Sequence, residues 1–278
     1  MDIKDLVGLE KPATKLIEVV SDAVGTVYTD TLGVNAEVRR KLKIAEAEQE
    51  IQLMQSDTDN EIVKRTQQRL AIQEIRRQEN IEEIVSGAME HLPESVSDEK
   101  PSVDWTTAFF NIAQDVSSEE VQTLWSKILA GEVSNPGTYS RRTLETLKTL
   151  SKNEADTFVK LNSFVFGTYT VFKLGSDSTT LTPFGFGHSE WKKMHETGLV
   201  ATEETLRVVL PTPTPIFQIG NKSVIFTSED NREITLNVKQ LTGVGSQLAK
   251  IINTVPNEKY LEGLTEHYKK QNIGVEIT

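Results

Sequence analysis

The chain has 278 residues, 37% of them hydrophobic and 26% charged, with a net charge of −11 and no cysteine. This length allows two compact domains or one domain with a long appendage, and the composition is too apolar for global disorder and too polar for a membrane-embedded chain. Disulfides, thiolate metal sites and cysteine nucleophiles are excluded, and the acidic balance of both residues 1–92 (12 basic, 18 acidic) and the remainder (18 basic, 23 acidic) works against phosphate binding.

The opening "MDIKDLVGLEKPATK" has no basic stretch followed by an apolar one, so export by a standard signal is not expected. In "KPATKLIEVVSDAVGTVY", residues 11–28, Ala13, Leu16, Ile17, Val20, Val24, Val27 and Tyr28 recur at the spacing of one helix face. Pro12 suits a first turn, and Lys15, Glu18, Ser21 and Asp22 are assigned to the opposite face. Four charges including Lys11 exclude a simple membrane span, which needs about 20 mostly apolar residues. Two readings remain open. The helix packs on the fold or a sister subunit, or it leaves its packing after assembly and enters a bilayer, with Gly8, Gly25 and Gly33 as joints.

Residues 36–92 are dense in strong helix formers and lack proline, with no glycine before Gly87, which predicts long helices. "SDTDN" at 56–60 is a poor helix interior and predicts a break. The apolar seam is thin: Ile44, Ile51 and Met54 fit one register, and Ile81, Ile84 and Val85 another. Such helices need others beside them, which points to oligomerisation.

"PESVSDEKPS" (93–102) reads as a linker. An all-helical core follows. Trp105, Ala108, Phe109 and Ile112 share one face; Ser117 and Glu120 predict a capping box before a stripe of Val121, Leu124, Trp125, Ile128 and Leu129. "NPG" (135–137) is a turn, and "SRRTLETLKTL" and "SKNEADTFVKLNSFVF" are two further helices, the second with a capping box from Ser151 to Glu154. From about residue 165 the pattern becomes α+β. "HSEWKKMHETG" is a short helix closed by Gly198, "LRVVL", "IFQIG", "NKSVIF" and "REITLNV" are strands with Gly220-Asn221 as a hairpin turn, and "GVEIT" closes the chain as a strand.

Sites with known chemistry are missing. There is no GxxxxGK[ST], HExxH or GxSxG pattern, and "GVGSQLAK" (243–250) is a helix start rather than a phosphate loop. His188 and His195, with Glu190 and Glu196 close by, are seven residues apart, whereas a helical zinc pair uses three or four. "DTDNE" (57–61) has Ile62 where a calcium loop needs glycine. No enzyme, cofactor or metal is expected. Arg141 and Arg142 sit in a first helical turn, where the macrodipole disfavours cations, and this suggests a carboxylate partner.

The stretch "LWSKILAGEVSNPGTYSRRTLETLKTLSKNEADTF" (124–158) is similar to the shared block of an uncharacterised bacterial protein family, as are "GLEKPATKLIEVVSDAVG" and "RRQENIEEIV". More loosely it resembles the abortive-infection alpha family, through Leu124, Trp125, Ile128, Leu129 and Ala130, then Pro136, then Leu150, Ser151, Glu154 and Ala155. Neither pattern carries catalytic residues. The looser resemblance implies bacterial defence against phage by halting or killing the infected cell. "HETGLV", the strands and "ITLNVKQLTGVGSQL" are similar to the tail of winged-helix proteins, where protein contacts are expected ahead of DNA reading.

The expectation is therefore a mostly α protein. It has an N-terminal amphipathic helix (1–34), long charged helices for oligomerisation (35–92), a linker (93–102), a helical core (103–165) and an α+β winged-helix-like domain (166–278). It would be a cytoplasmic homo-oligomer that senses a phage protein, relocates to the inner membrane and permeabilises it through the N-terminal stripe. Trp125, Arg141 and Arg142 are the candidate partner contacts, and nucleic acid is disfavoured. The alternatives are a sensor or adaptor that signals to a separate effector, or a winged-helix DNA-binding regulator.

Overall fold

A computed structural model describes residues 11–25, 61–167, 169–175, 181–202, 206–211, 214–228 and 232–278. The described residues are mostly helical, with nine α-helices and six short strands in two small antiparallel sheets near the C-terminus. The chain divides into two compact units, Met1–Leu144 and Glu145–Thr278. That division falls earlier than the change of sequence texture at 165.

The first unit is helical. It contains α1 (Lys11–Val24), α2 (Glu61–Glu90), α3 (Val103–Ala113), α4 (Glu119–Ser134) and the first turn of α5 (Arg141–Thr149). The most extensive pairing is α2 with α4. Ile81, Ile84, Val85 and Ala88 of α2 are buried, so the second of the two expected seams is covered within the chain. Small residues allow the approach: a Cβ on Gly87 would lie 2.6 Å from Ser126 Oγ, and that hydroxyl donates to the Ile84 carbonyl at 2.9 Å. Burying each such aliphatic side chain is worth about 1.5–3 kcal/mol, which outweighs the weak helix propensity of the Gly87 region.

Ser102 caps α3 by accepting from Trp105 N, and this sets the face that carries Trp105, Phe109, Phe110 and Ile112 into the core. Trp105 stacks on Phe109 at 5.1 Å, and Phe109 meets Trp125 edge-on at 5.2 Å. Ser118, rather than Ser117, precedes α4, and it makes no side-chain cap bond, so the expected Ser117–Glu120 box does not form. The Ser151–Glu154 box does form, with both of its hydrogen bonds.

Residues 93–102 belong to the first unit together with their flanks, so they are not a spacer between the compact units. Ser97 N donates to the Ser134 carbonyl at 2.8 Å, and Pro101 is buried.

The second unit holds α6 (Lys152–Asn162), α7 (His188–Glu196), α8 (Gly243–Ala249) and α9 (Glu258–Lys269). Its strands are β1 (Thr170–Phe172), β2 (Leu206–Val209), β3 (Phe217–Ile219), β4 (Lys222–Ser228), β5 (Thr235–Gln240) and β6 (Ile273–Ile277). One sheet runs β1-β5-β2, with Val171 opposite Lys239 and Val208 opposite Leu236; the other runs β3-β4-β6, with Phe226 opposite Val275. Gly220 and Asn221 join β3 to β4 as a two-residue hairpin with Gly220 at φ +56, as the sequence predicts. Phe164, Phe166, Phe172, Phe186, Phe226, Tyr260 and Tyr268 form the aromatic centre, and the Tyr260 and Tyr268 hydroxyls donate to the carbonyls of Phe172 and Lys173. The "GVGS" glycines serve packing: a Cβ on Gly245 would lie 2.1 Å from the Leu199 carbonyl oxygen, and Thr242 caps the helix start there.

Candidate functional site

α1 is described over Lys11–Val24, and its buried face is Pro12, Lys15, Leu16, Ile17, Val19 and Val20. Relative to the expected stripe the helix is rotated. Leu16, Ile17 and Val20 are in the core as expected, whereas Ala13 and Val24 are half-buried. Lys15, expected on the solvent face, is only 8% exposed. Val27 and Tyr28 lie outside the described residues, as do Gly8, Gly33 and the 56–60 segment.

A cation is tolerated inside this face because of what surrounds its head. Lys15 Nζ donates to the Ser97 carbonyl at 2.8 Å and to the Val133 carbonyl at 2.5 Å. Val133 is in the last turn of α4, where carbonyls lack helical partners and the helix dipole is negative. The lysine thus acts as a C-cap supplied from another helix. Burial lowers the Lys15 pKa from its ordinary value, and the Asp98 carboxylate nearby opposes that shift.

Around this buried contact lies a ring of exposed ion pairs. Lys11 pairs with Asp98 at 2.5 Å, and Lys100 reaches Asp22 at 3.1 Å and Glu18 at 3.4 Å. The Lys11 bond holds the Asp98 carboxyl below the usual carboxylate range, and the Asp22 bond raises the Lys100 pKa. Segment 93–102 therefore straps α1 to the C-terminal end of α4. The sequence signal for this clasp was present as four charges on and around the helix, but spacing alone cannot tell a solvated lysine from one that caps a neighbour.

The "GEVSNPGTYS" turn is held by a second buried charge. Glu132 is 2% exposed and accepts from Gly137 N at 2.7 Å and Tyr139 N at 2.8 Å. Burial raises its pKa, and those backbone N–H groups pull the other way. The Tyr139 carbonyl accepts from Trp105 Nε1 at 2.7 Å, and burial pushes the Tyr139 hydroxyl up to about 12. Gly131 is needed because a Cβ there would sit 2.8 Å from the Tyr139 ring. The block is structural: Glu132 folds the turn, and the turn seats Trp105.

Trp125 is 1% exposed and meets Phe109 inside the unit, so its surface is spent within the chain rather than offered to a partner. The sequence offers this indole as a contact because an amphipathic stripe does not reveal what covers it. Arg141 and Arg142 are exposed at the start of α5.

The histidines do not converge. His195 Nε2 bonds Lys239 Nζ at 2.8 Å, with the Lys239 ammonium 5.4 Å from the centre of the Trp191 ring. Glu190 instead accepts from Gly187 N at the start of α7, and Glu196 pairs with Lys192 at 3.7 Å. Among the described residues no group of three or more His, Cys, Asp or Glu could hold a metal ion. No helix among them is long and apolar enough to cross a membrane.

A family model described as a protein of unknown function, DUF2806, matches residues 64–265, which run from α2 into α9 and leave α1 outside. No curated protein and no solved structure matches the chain.

Proposed function

The chain belongs to the DUF2806 family of proteins of unknown function, and from that premise we propose that it is an interaction protein of bacterial phage defence whose α1 is a releasable element. A phage component would be the trigger, release of α1 the activating step, and a protein partner the receiver of the freed helix. The observation that carries this reading is the clasp: one buried ammonium and a ring of exposed ion pairs hold an amphipathic helix on the helical unit. Exposed pairs are weak because water and salt screen them, so competing charges displace them readily. The apolar contacts of Leu16, Ile17, Val19 and Val20 are worth more and must be replaced by another apolar surface.

Protein cover suits the freed face better than bilayer cover. Lys15 lies within the apolar face of α1, and a charge inside that face is costly in hydrocarbon. Permeabilisation of the inner membrane after assembly is the second reading, favoured by the stripe itself and tested by dye release from anionic vesicles. In this proposal the second unit would serve as a winged-helix-like scaffold for protein contacts. Lys192 and Lys193, the cations a recognition helix would aim at bases, are engaged by Glu196 and by Asn153 and Thr157.

The test is the plaquing efficiency of a broad phage panel on bacteria expressing the chain, beside a Lys100→Glu variant that reverses one clasp charge. Val20→Asp is unsuitable, because Val20 is fully buried and a charge there would unfold the unit. Protection by wild type and growth arrest without phage in the variant are the expected results. Absence of protection against every phage, with no growth effect from the variant, sinks the proposal.

A further inference from the structure

The two sheets end in four edge strands, and three of these are blunted in ordinary ways. β1 has three residues, and Thr170 at its start is already bridged to Phe166. β3 also has three, and Gly167 N donates to its Gln218 carbonyl at 2.6 Å. β2 has four, carries Arg207 exposed, and runs through Leu210 into Pro211. β6 is longer, at five residues, and holds no lysine, arginine or proline. Among the described residues its ladder partner is β4, and no backbone group bonds to its outer side.

The ladder fixes which groups that outer side presents. Ser223 and Thr278 exchange both of their backbone bonds, at 2.9 and 3.0 Å. The alternation of an antiparallel pair then makes Ile225–Glu276 and Thr227–Gly274 the next hydrogen-bonded pairs. Ile273, Val275 and Ile277 alternate with these, so their N–H and C=O groups aim away from β4. All three residues are half-buried. Val275 and Ile277 share the face of the buried Phe226 and Val224 that stand opposite them. Gly274 and Glu276 are exposed on the other face.

We propose that this edge is completed by β6 of a second copy of the chain, antiparallel, with a two-fold axis through Val275. The outward set is symmetric about Val275, and that symmetry selects the occupant. Val275 then faces Val275 of the partner subunit, and Ile273 faces Ile277 of the partner subunit. Each facing pair exchanges two backbone bonds, and the pairing is isologous. Apolar side chains meet apolar ones on the face that α9 packs against. On the other face Glu276 falls opposite Gly274 of the partner subunit, which has no side chain to oppose it. A slip by one residue would set free backbone groups against used ones. A foreign strand would need the same alternation to match this edge, and β6 already carries it. A single strand pair of this length is smaller than a standard interface of about 1,200 Å² or more, so the dimer is weak and concentration-dependent.

The inference does not depend on release of α1. Sedimentation equilibrium of the full chain across about 5–500 µM should show a monomer–dimer equilibrium. Val275→Pro should weaken it roughly tenfold or more, because it removes the central outward N–H and leaves the β4 ladder bonds in place. Each copy carries a net charge of −11, so raising NaCl from about 50 to about 500 mM should leave the dimer as strong or stronger. The chain has no cysteine, so one introduced at 275 reports its own pairing. Hydrogen-bonded antiparallel partners stand about 5.5 Å apart at Cα, within disulfide reach. Val275→Cys should therefore cross-link into a dimer under mild oxidation roughly tenfold faster than Val209→Cys, an exposed position in the other sheet. Far-ultraviolet circular dichroism verifies folding, and if Val275→Pro does not fold the cysteine comparison decides. A wild type that stays monomeric across that range overturns the proposal, as do equal cross-linking rates at 275 and 209. A folded Val275→Pro that dimerises like wild type, or a dimer that salt dissolves, overturns it as well.

Discussion

Lys15 Nζ donates to the Val133 carbonyl at 2.5 Å, so a lysine from α1 completes the C-terminal end of α4. The contact joins a helix outside the family-matched span to one inside it. Its strength follows from position: the carbonyl has no helical partner, and the ammonium is largely removed from water. The same position makes the contact costly to lose.

Lys15→Ala should therefore destabilise the first unit by about 1–3 kcal/mol, because it leaves the Ser97 and Val133 carbonyls without their donor and removes the packed aliphatic stem. Urea unfolding monitored by tryptophan fluorescence measures this. A midpoint equal to wild type would mean that the lysine head is exchanged for water at no net cost.

Lys100→Glu is a milder change. Its partners Glu18 and Asp22 are exposed, so the global loss should stay within about 1 kcal/mol. Hydrogen exchange should nevertheless rise selectively over residues 11–24, since like charges now face each other along the strap. Uniform protection across the unit would show that the strap does not govern α1.

Glu132→Gln should cost about 1–3 kcal/mol. The carboxylate uses both oxygens to accept from Gly137 and Tyr139, and an amide has a single acceptor oxygen, so one N–H is left facing an NH2 group. Because the turn positions the carbonyl that accepts from Trp105 Nε1, the near-ultraviolet signal of Trp105 should change as well. An unaltered spectrum and unchanged stability would contradict the structural role given to this turn.

Gly245→Ala should destabilise the second unit by about 1–3 kcal/mol or prevent its folding, since the new methyl meets the Leu199 carbonyl oxygen at 2.1 Å, backbone that cannot rotate away. Gly243→Ala is the control, with open space at its Cβ position. Equal thermal midpoints for the two variants would count against the close packing of α8.

Acid should weaken the second unit through His195. Burial, then the Lys239 ammonium, lower its pKa below the ordinary value of 6.5, while the Val200 backbone pulls weakly the other way without making a hydrogen bond of normal geometry to Nδ1. Since the folded value is the lower one, the unfolded chain takes the proton first as pH falls. Stability is full above the unfolded value of about 6.5 and is lost as pH drops through the folded value. Comparing unfolding midpoints at pH 8 and pH 5.5 for wild type and His195→Gln isolates this contribution. The variant should lose less on acidification, and an identical loss would exonerate the histidine.

Local features of the fold were legible wherever one side chain answers to its own neighbours in sequence. The Ser151–Glu154 box, the Gly220-Asn221 hairpin, the helix stop at Gly198 and four of the six strands follow from residues within a few positions of each other. β6 was also legible as the closing strand, while β1 was not, because three residues after a helix carry no alternation to read. Periodicity places the α1 face one position out, because Lys15 counts as polar in any periodicity, yet its head finds two carbonyls that come from residues 97 and 133. The three-residue spacing points to Ser117 as the cap before α4, whereas Ser118 holds the cap position.

By itself the sequence determined most of the helices and strands among the described residues, together with their local caps and turns, because propensity, capping and turn chemistry are properties of adjacent residues. Only the tertiary structure decided that Lys15 and Glu132 are buried anchors, that Trp125 is core, and that 93–102 is a strap. Each of these depends on groups brought together from distant parts of the chain. Desolvation and hydrogen bonding of a charge are set by such groups, and no local pattern encodes them.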